Sequence, residues 1–275
     1  ARSLNEDPRT GLAAGFLDAE IAISNLELVG SLPKPPGFYD PSNPAELPLK
    51  LLAKRAAPKE QGDEEEDSKA SAELVSEESE DSDEEESEKY EEDRYPLLSF
   101  SNTDMAFKDD VMVVGNYHGF NVYRLHENAM PSLVSSVICP GGQGDVSIVG
   151  HLLILSVEQT RGRVDCGRDG VSEKVSEERF RGLRIFDLSD ITRPRQVGQV
   201  QTCRGSHTHS VVSGPDENGM IVVYNSGTSV VREEEELAGC IGNIAGDQRT
   251  ALFRIDVIEI PIDNPGDARI VDSPG

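Results

Sequence analysis

Residues 104–274 say the same thing three times, and that repetition constrains the fold more than any other feature of the chain. The first copy runs DMAFKDDVMVVGN from Asp104, GFNVYRL from Gly119 and SLVSSVICP from Ser132. The second runs DVSIVGHLLILSV from Asp145, GLRIFDL from Gly182 and RQVGQVQTC from Arg195. The third runs HSVVSGPDENGMIVVYNSG from His209, ALFRIDV from Ala251 and ARIVDSP from Ala268. Each copy strings short β-branched runs between Gly, Pro, Asn and Asp, with no long helical periodicity, so each reads as four strands. In the second copy the spacing predicts strands over 146–149, 152–157, 183–188 and 196–202. The steps Asp190 to Pro194 and Asn264 to Pro265 supply residues that start turns and pre-set φ.

A four-stranded antiparallel phrase repeated radially is a β-propeller blade. A β-sandwich would use such strands too, but would not require one phrase three times. The expectation is therefore an all-β chain with three blades, over about 102–140, 143–203 and 207–274. Closed propellers take roughly four to eight blades, so three make an incomplete ring. Residues 25–32 (NLELVGSL) alternate like RQVGQVQT and are expected to be the outer strand of a closing blade whose other strands come from elsewhere. The apolar faces at the two ends of the arc then invite either self-association or the remaining blades of a longer chain.

Charge is concentrated in one stretch. Of the net −25, residues 60–94 hold 19 acidic and three basic residues, a net −16 with almost no apolar side chains. Such a run cannot bury enough surface to offset the entropy of ordering, so it is expected to be a disordered acidic linker between an amino-terminal segment (1–59) and the repeats (95–275). The acidic balance makes nucleic acid a poor partner. No apolar run approaches the roughly 20 residues of a membrane span, and the first 24 residues lack a basic start followed by an apolar core. A chain beginning at Ala1 fits a mature product whose targeting peptide has been removed.

Superposing the repeats aligns Asn102-Thr-Asp104, Gln143-Gly-Asp145 and His207-Thr-His209 at the start of each innermost strand. Residues two apart on a strand share a face, so Asn102, Gln143 and His207 are expected in one layer, and Asp104, Asp145 and His209 in another, both at the channel mouth. Two readings follow. His207 and His209 as nitrogen ligands, with Asp104 and Asp145 as oxygen ligands, suit a divalent metal ion. Alternatively these residues are a solvated polar rim. His118 is placed where it joins the same face, and His126 and His151 in turns opposite.

Arg161, Arg163, Arg168 and Arg181 crowd the long loop of the second copy. They either hold an anion over the channel, Arg161, Arg163 and Arg181 above all, or pair with Glu158, Asp165, Glu177, Glu178 and the acidic loop 233–236. The glycine-rich CPGGQGD at Cys139 leads into a strand and not a helix, so a phosphate cradle has no dipole to build on. Ser206 and Ser210 lie too close along one strand to His207 and His209 to form a nucleophilic triad with them. The four cysteines follow the repeat: Cys139 and Cys203 end fourth strands, while Cys166 and Cys240 lie in the next long loops. That pattern favours disulfides Cys139 to Cys166 and Cys203 to Cys240, with Cys166 to Cys203 as the main rival, and an oxidising compartment.

The phrase GLRIFDLSDITRPRQVGQV, with its weaker copies GFNVYRLHENAMPSLVSSV and ALFRIDVIEIPIDNPGDARIV, resembles the repeat of the LVIVD-repeat family of secreted microbial β-propellers. From Asn25 to Gly275 the chain is similar to the amino-terminal half of larger members, with the acidic run as an insertion. The resemblance implies a secreted propeller whose further blades carry additional His-bearing motifs, and implies nothing about activity. The expected function is a secreted binding or scaffold module for a protein or glycan ligand. The alternative is a metal-dependent hydrolase or oxidoreductase whose site is completed by blades outside these residues.

Overall fold

The computed structural model of the chain describes residues 7–15, 18–38, 101–127, 130–242, 244 and 246–275. The acidic run expected at 60–94 lies outside them. The described strands form three separate four-stranded antiparallel sheets, each a simple meander in chain order. Sheet 1 is β1 (Asn102–Lys108), β2 (Val111–Asn116), β3 (Gly119–Leu125) and β4 (Pro131–Ile138). Sheet 2 is β5 (Val146–Val149), β6 (Leu152–Val157), β7 (Gly182–Asp187) and β8 (Arg195–Gln201). Sheet 3 is β9 (Thr208–Ser213), β10 (Met220–Ser226), β11 (Asp256–Pro261) and β12 (Arg269–Asp272). Among the described residues no helix is long and apolar enough to cross a membrane.

The turns follow from their residues. Gly150, at φ 60°, and His151 make the two-residue link between β5 and β6. Between β9 and β10, the Asp216 carboxylate accepts the N–H groups of Asn218 and Met220, and Gly219 takes φ 72°. Gly119 and Gly182 open the third strands of sheets 1 and 2 at φ 133° and 142°. A Cβ on either would sit 2.0 Å from a carbonyl oxygen of the fourth strand, Val137 or Val200, so only glycine fits there.

Packing joins the sheets face to face. Val113, Phe120 and Val122 of sheet 1 pack on Val146, Leu153, Leu155 and Phe186 of sheet 2, where the Phe120 and Phe186 rings meet edge to face at 4.9 Å. The opposite face of sheet 2, through Leu152, Ile154, Leu183 and Ile185, packs on Ile221, Val223, Ile258 and Ile260 of sheet 3. Because sheet 2 is covered on both sides, every residue of β6 is buried. In sheet 3, by contrast, buried residues alternate with partly exposed ones along β11, the mark of a sheet covered on one face.

The outward face of sheet 1 carries Met105 and Phe107, 56% and 58% exposed, and that of sheet 3 carries Tyr224, 43% exposed. Residues 32–38 lie against part of the sheet 1 face: Leu32, Pro33 and Pro35 line a groove of about 420 Å³ with Met105, Met112, Val114 and Tyr123. Residues 25–32, expected to be an outer strand whose partners come from elsewhere, pair with no strand among the described residues. Leu26, Leu28, Val29 and Leu32 of that segment are exposed.

The third copy departs from its sequence alignment. Each third strand slips register against the fourth at one step, between Val122 and Tyr123, Ile185 and Phe186, and Val257 and Ile258. Ile258 therefore stands where Phe186 stands, and the phrase equivalent to GLRIFDL begins three residues after Ala251. Residues 251–255 instead form a turn in which Phe253 is 90% exposed at φ 61°.

Candidate functional site

Most of the residues expected at the channel mouth lie at the junctions between sheets, where each is held by a hydrogen bond. Asp104 on β1 reaches forward to sheet 2, where its Oδ2 accepts the Val146 N–H at 3.0 Å. Asp145, just before β5, repeats this one sheet on: its Oδ2 accepts the His209 N–H at 2.7 Å and the Thr208 hydroxyl at 3.0 Å. Each carboxylate is thus a staple from one sheet to the first strand of the next. Burial alone would raise the Asp145 carboxyl, but the side chain, charge and backbone N–H of His209 carry it well below the usual carboxylate range.

His209 does not join Asp104 and Asp145 in one ring, which corrects the expected layer. Its ring turns back onto sheet 2, with Nδ1 3.1 Å from Asp145 Oδ2 and 2.9 Å from the Ser156 hydroxyl, and its side chain is fully buried. Val146, which packs back onto sheet 1, points the same way. His209 is therefore the counterpart of Val146 and not of Asp145. The alignment by sequence spacing slipped by one residue, and a one-residue slip in a strand reverses the face. Ser156 also bonds Ser206 at 2.7 Å. Ser156, His209 and Asp145 do not make a catalytic triad, because both oxygens approach the same ring nitrogen and Ser156 is buried.

His207 and Gln143, expected to share a layer, do meet. Both bond Oε2 of Glu158, His207 through Nδ1 at 2.7 Å and Gln143 through Nε2 at 3.2 Å. Oε1 of the same carboxylate accepts the Thr228 N–H at 2.5 Å, the Thr228 hydroxyl at 3.0 Å and the Ser229 N–H at 3.1 Å. Burial acts to raise Glu158, and the bonds from Thr228 and His207 overcome it and hold the group below its ordinary value. Sequence reasoning offered Glu158 only as a partner for arginines. The available signal was its place one residue past β6, where the second strand ends beside the start of the next sheet's first strand. The third member of the expected layer, Asn102, is exposed and lines the groove beneath residues 32–35 instead.

Among the described residues no group of three His, Cys, Asp or Glu is placed to hold a metal ion. His118 is buried and donates its backbone N–H to Asn116 Oδ1. His126 Nε2 bonds the Ser132 hydroxyl at 2.8 Å, and His151 sits in the β5 to β6 turn.

The arginines of the long loop do not gather around one point. Arg163 pairs with Asp165 at 2.9 Å and Glu178 at 2.7 Å. Arg168 is exposed and Arg161 half-buried. Arg181 is buried, with Nη1 donating to the Ser229 hydroxyl and the Val230 carbonyl. Burial, then the neighbouring charges of Arg232 and Arg179, push its pKa down to about 9, so it stays protonated at neutral pH. Beside it, Arg179 and Arg232 clasp Glu236, with Arg232 Nε 2.5 Å from Oε1 and all three side chains buried. This clasp ties the long loop of the second copy to that of the third.

Two disulfides reinforce the same loops. Cys139 bonds Cys166 and Cys203 bonds Cys240, with Cα separations of 4.4 and 5.2 Å, and no free cysteine remains. The second bridge packs with Ala251, Val231 and Leu237 in a small core of its own. Comparison with models of known protein families and with curated proteins finds no match for this chain.

Proposed function

We propose that this chain is an arc of a secreted β-propeller, of the kind the LVIVD-repeat phrase resembles, that acts as a binding or scaffold module. The observation that carries the reading is the stacking itself: sheet 2 gives one face to sheet 1 and the other to sheet 3, and among the described residues the outer faces of sheets 1 and 3 carry exposed apolar side chains. A face of that composition suits another four-stranded sheet, from further blades of a longer chain or from a second copy, and a protein or glycan ligand then binds on the completed assembly. Two disulfides support an oxidising, extracellular setting. The rival reading, a metal-dependent enzyme, has less support, since among the described residues no three His, Cys, Asp or Glu are grouped to hold a metal ion.

Sedimentation velocity with a hydrophobic reporter dye tests the reading. The chain is expected to self-associate and bind dye, and Val212→Glu with Tyr224→Glu, at exposed positions of β9 and β10, to abolish association at the sheet 3 end. A monomer that binds no dye would contradict the proposal.

A further inference from the structure

One position of the repeat is buried twice and exposed once. Counted along the β2 to β3, β6 to β7 and β10 to β11 registers, His118, Arg181 and Phe253 are equivalent, each immediately before Gly119, Gly182 or Arg254. His118 and Arg181 are buried, and Arg181 reaches forward to the next sheet, where its Nη1 donates to the Ser229 hydroxyl and the Val230 carbonyl just past β10. Sheet 3 has no successor among the described residues, and Phe253 is 90% exposed.

The exposed ring is held rigidly. At φ 61° a bulky aromatic sits in backbone that only a well-fixed surrounding maintains. On one side Ala251 is buried beside the Cys203 to Cys240 bridge, and its N–H donates to the Ile241 carbonyl at 2.7 Å. On the other, the Arg254 guanidinium meets Cys203 Sγ at 3.0 Å and Asp256 Oδ1 at 3.1 Å, and the Ile255 N–H donates to the Pro274 carbonyl. An aromatic presented this way loses little freedom on docking, the property of an interface anchor. Val212, Tyr224 and Val271 share its end of the molecule, because each follows a residue that packs on sheet 2 and so points the opposite way.

The other end of the stack offers a hole for this knob. The groove of about 420 Å³ between residues 32–35 and sheet 1 is apolar through Met105, Met112, Val114 and Tyr123. A cavity of about 150 Å³ already takes a benzene ring, so the groove has room for a phenylalanine side chain. We propose that Phe253 and the outer face of sheet 3 dock on the sheet 1 groove of a second copy of this chain, head to tail. The proposal rests on the self-association in the propeller reading and names the contact that makes it. Within the chain, the residue before a third strand bridges to the next sheet through Arg181. Between copies the same position continues that junction, with a ring in place of a guanidinium. Knob and hole lie at opposite ends, so the contact is heterologous.

Complementation in sedimentation velocity on the whole chain tests it. Phe253→Gly, which removes the ring and accepts the positive φ, should weaken self-association about tenfold or more, as should Met105→Glu in the groove. Mixed together, the two variants should form a 1:1 dimer through the one intact pair of ends, which also shows that both are folded. Undiminished association of Phe253→Gly, or a mixture that stays monomeric, would overturn the contact while leaving the propeller reading in place. A wild-type monomer that binds dye would also overturn it, giving the groove to another occupant such as the further blades of a longer chain.

Discussion

Asp145 grips His209 from two sides: its Oδ2 lies 2.7 Å from the backbone nitrogen and 3.1 Å from ring Nδ1, across the boundary between sheets 2 and 3. With Asp104 on Val146 and Glu158 on His207, this makes a line of carboxylates that join successive sheets near their first strands. The apolar clusters press the sheets together, and the carboxylates fix their register.

The first prediction concerns acid. Because the folded-state values of Asp145 and Glu158 are depressed, their contribution is complete above the ordinary carboxylate range. It is lost as pH falls through that range and below it. Thermal midpoints taken between pH 7 and pH 2 should fall most steeply below about pH 4, near the unperturbed carboxylate values. Asp145→Asn should cost about 1–3 kcal/mol at pH 7 and flatten that acid limb. An unchanged limb in the variant would show that Asp145 is not a staple.

The second prediction concerns the buried clasp. Glu236→Ala leaves Arg179 and Arg232 buried without their carboxylate and should cost about 3–5 kcal/mol in denaturant melts. Glu178→Ala, which removes a partner from the far more exposed Arg163 pair, should cost less than about 1 kcal/mol. Equal effects would mean that the two long loops do not depend on Glu236.

How much of this was legible in the sequence depended on how strictly the repeat constrained each residue. The second copy's strands lie within one residue of their expected bounds, because its apolar runs are bracketed by Gly150, Gly182 and the Asp190 to Pro194 turn. The third copy's third strand was misplaced, since ALFRIDV looks more like GLRIFDL than the true segment does. Only the register slip at Val257 and Ile258 shows the equivalence. His209 was misassigned for a related reason: its spacing from Cys203 equals that of Asp145 from Cys139, yet its pairing opposite Asn225 matches that of Val146 opposite Leu155. Glu158 was named for the wrong partner, because contacts across a sheet junction leave no trace in the spacing along either strand.

The third prediction concerns cysteine connectivity. Mass mapping of the unreduced protein should return Cys139 with Cys166 and Cys203 with Cys240. The loops they close span 27 and 37 residues, so reducing each should cost about 4 kcal/mol on the chain-entropy account. A Cys166 to Cys203 bridge, or four alkylatable thiols, would contradict both the loop arrangement and the extracellular reading.

The fourth prediction concerns the glycine that opens β7. Gly182→Ala puts a Cβ against the Val200 carbonyl and forces a side chain into φ 142°, so it should destabilise by more than the roughly 1 kcal/mol that Gly and Ala differ elsewhere. Gly239→Ala, at φ 84° with nothing near its Cβ position, shows what a positive φ costs in the left-handed region without a close approach. Similar losses in the two variants would remove the close approach of β7 and β8 as the cause.

The central claim is that among the described residues three sheets stack in chain order, with sheet 2 covered on both faces, the outer face of sheet 1 covered only in part by residues 32–38, and that of sheet 3 exposed. Amide hydrogen exchange on the intact chain tests it most directly, since protection follows the burial and cooperativity of each unit. The account predicts that β6 and β7 exchange slowest, with β1 and β9 among the fastest of the strands. Equal protection across all three sheets, or slower exchange in β1 and β9 than in β6, would contradict it.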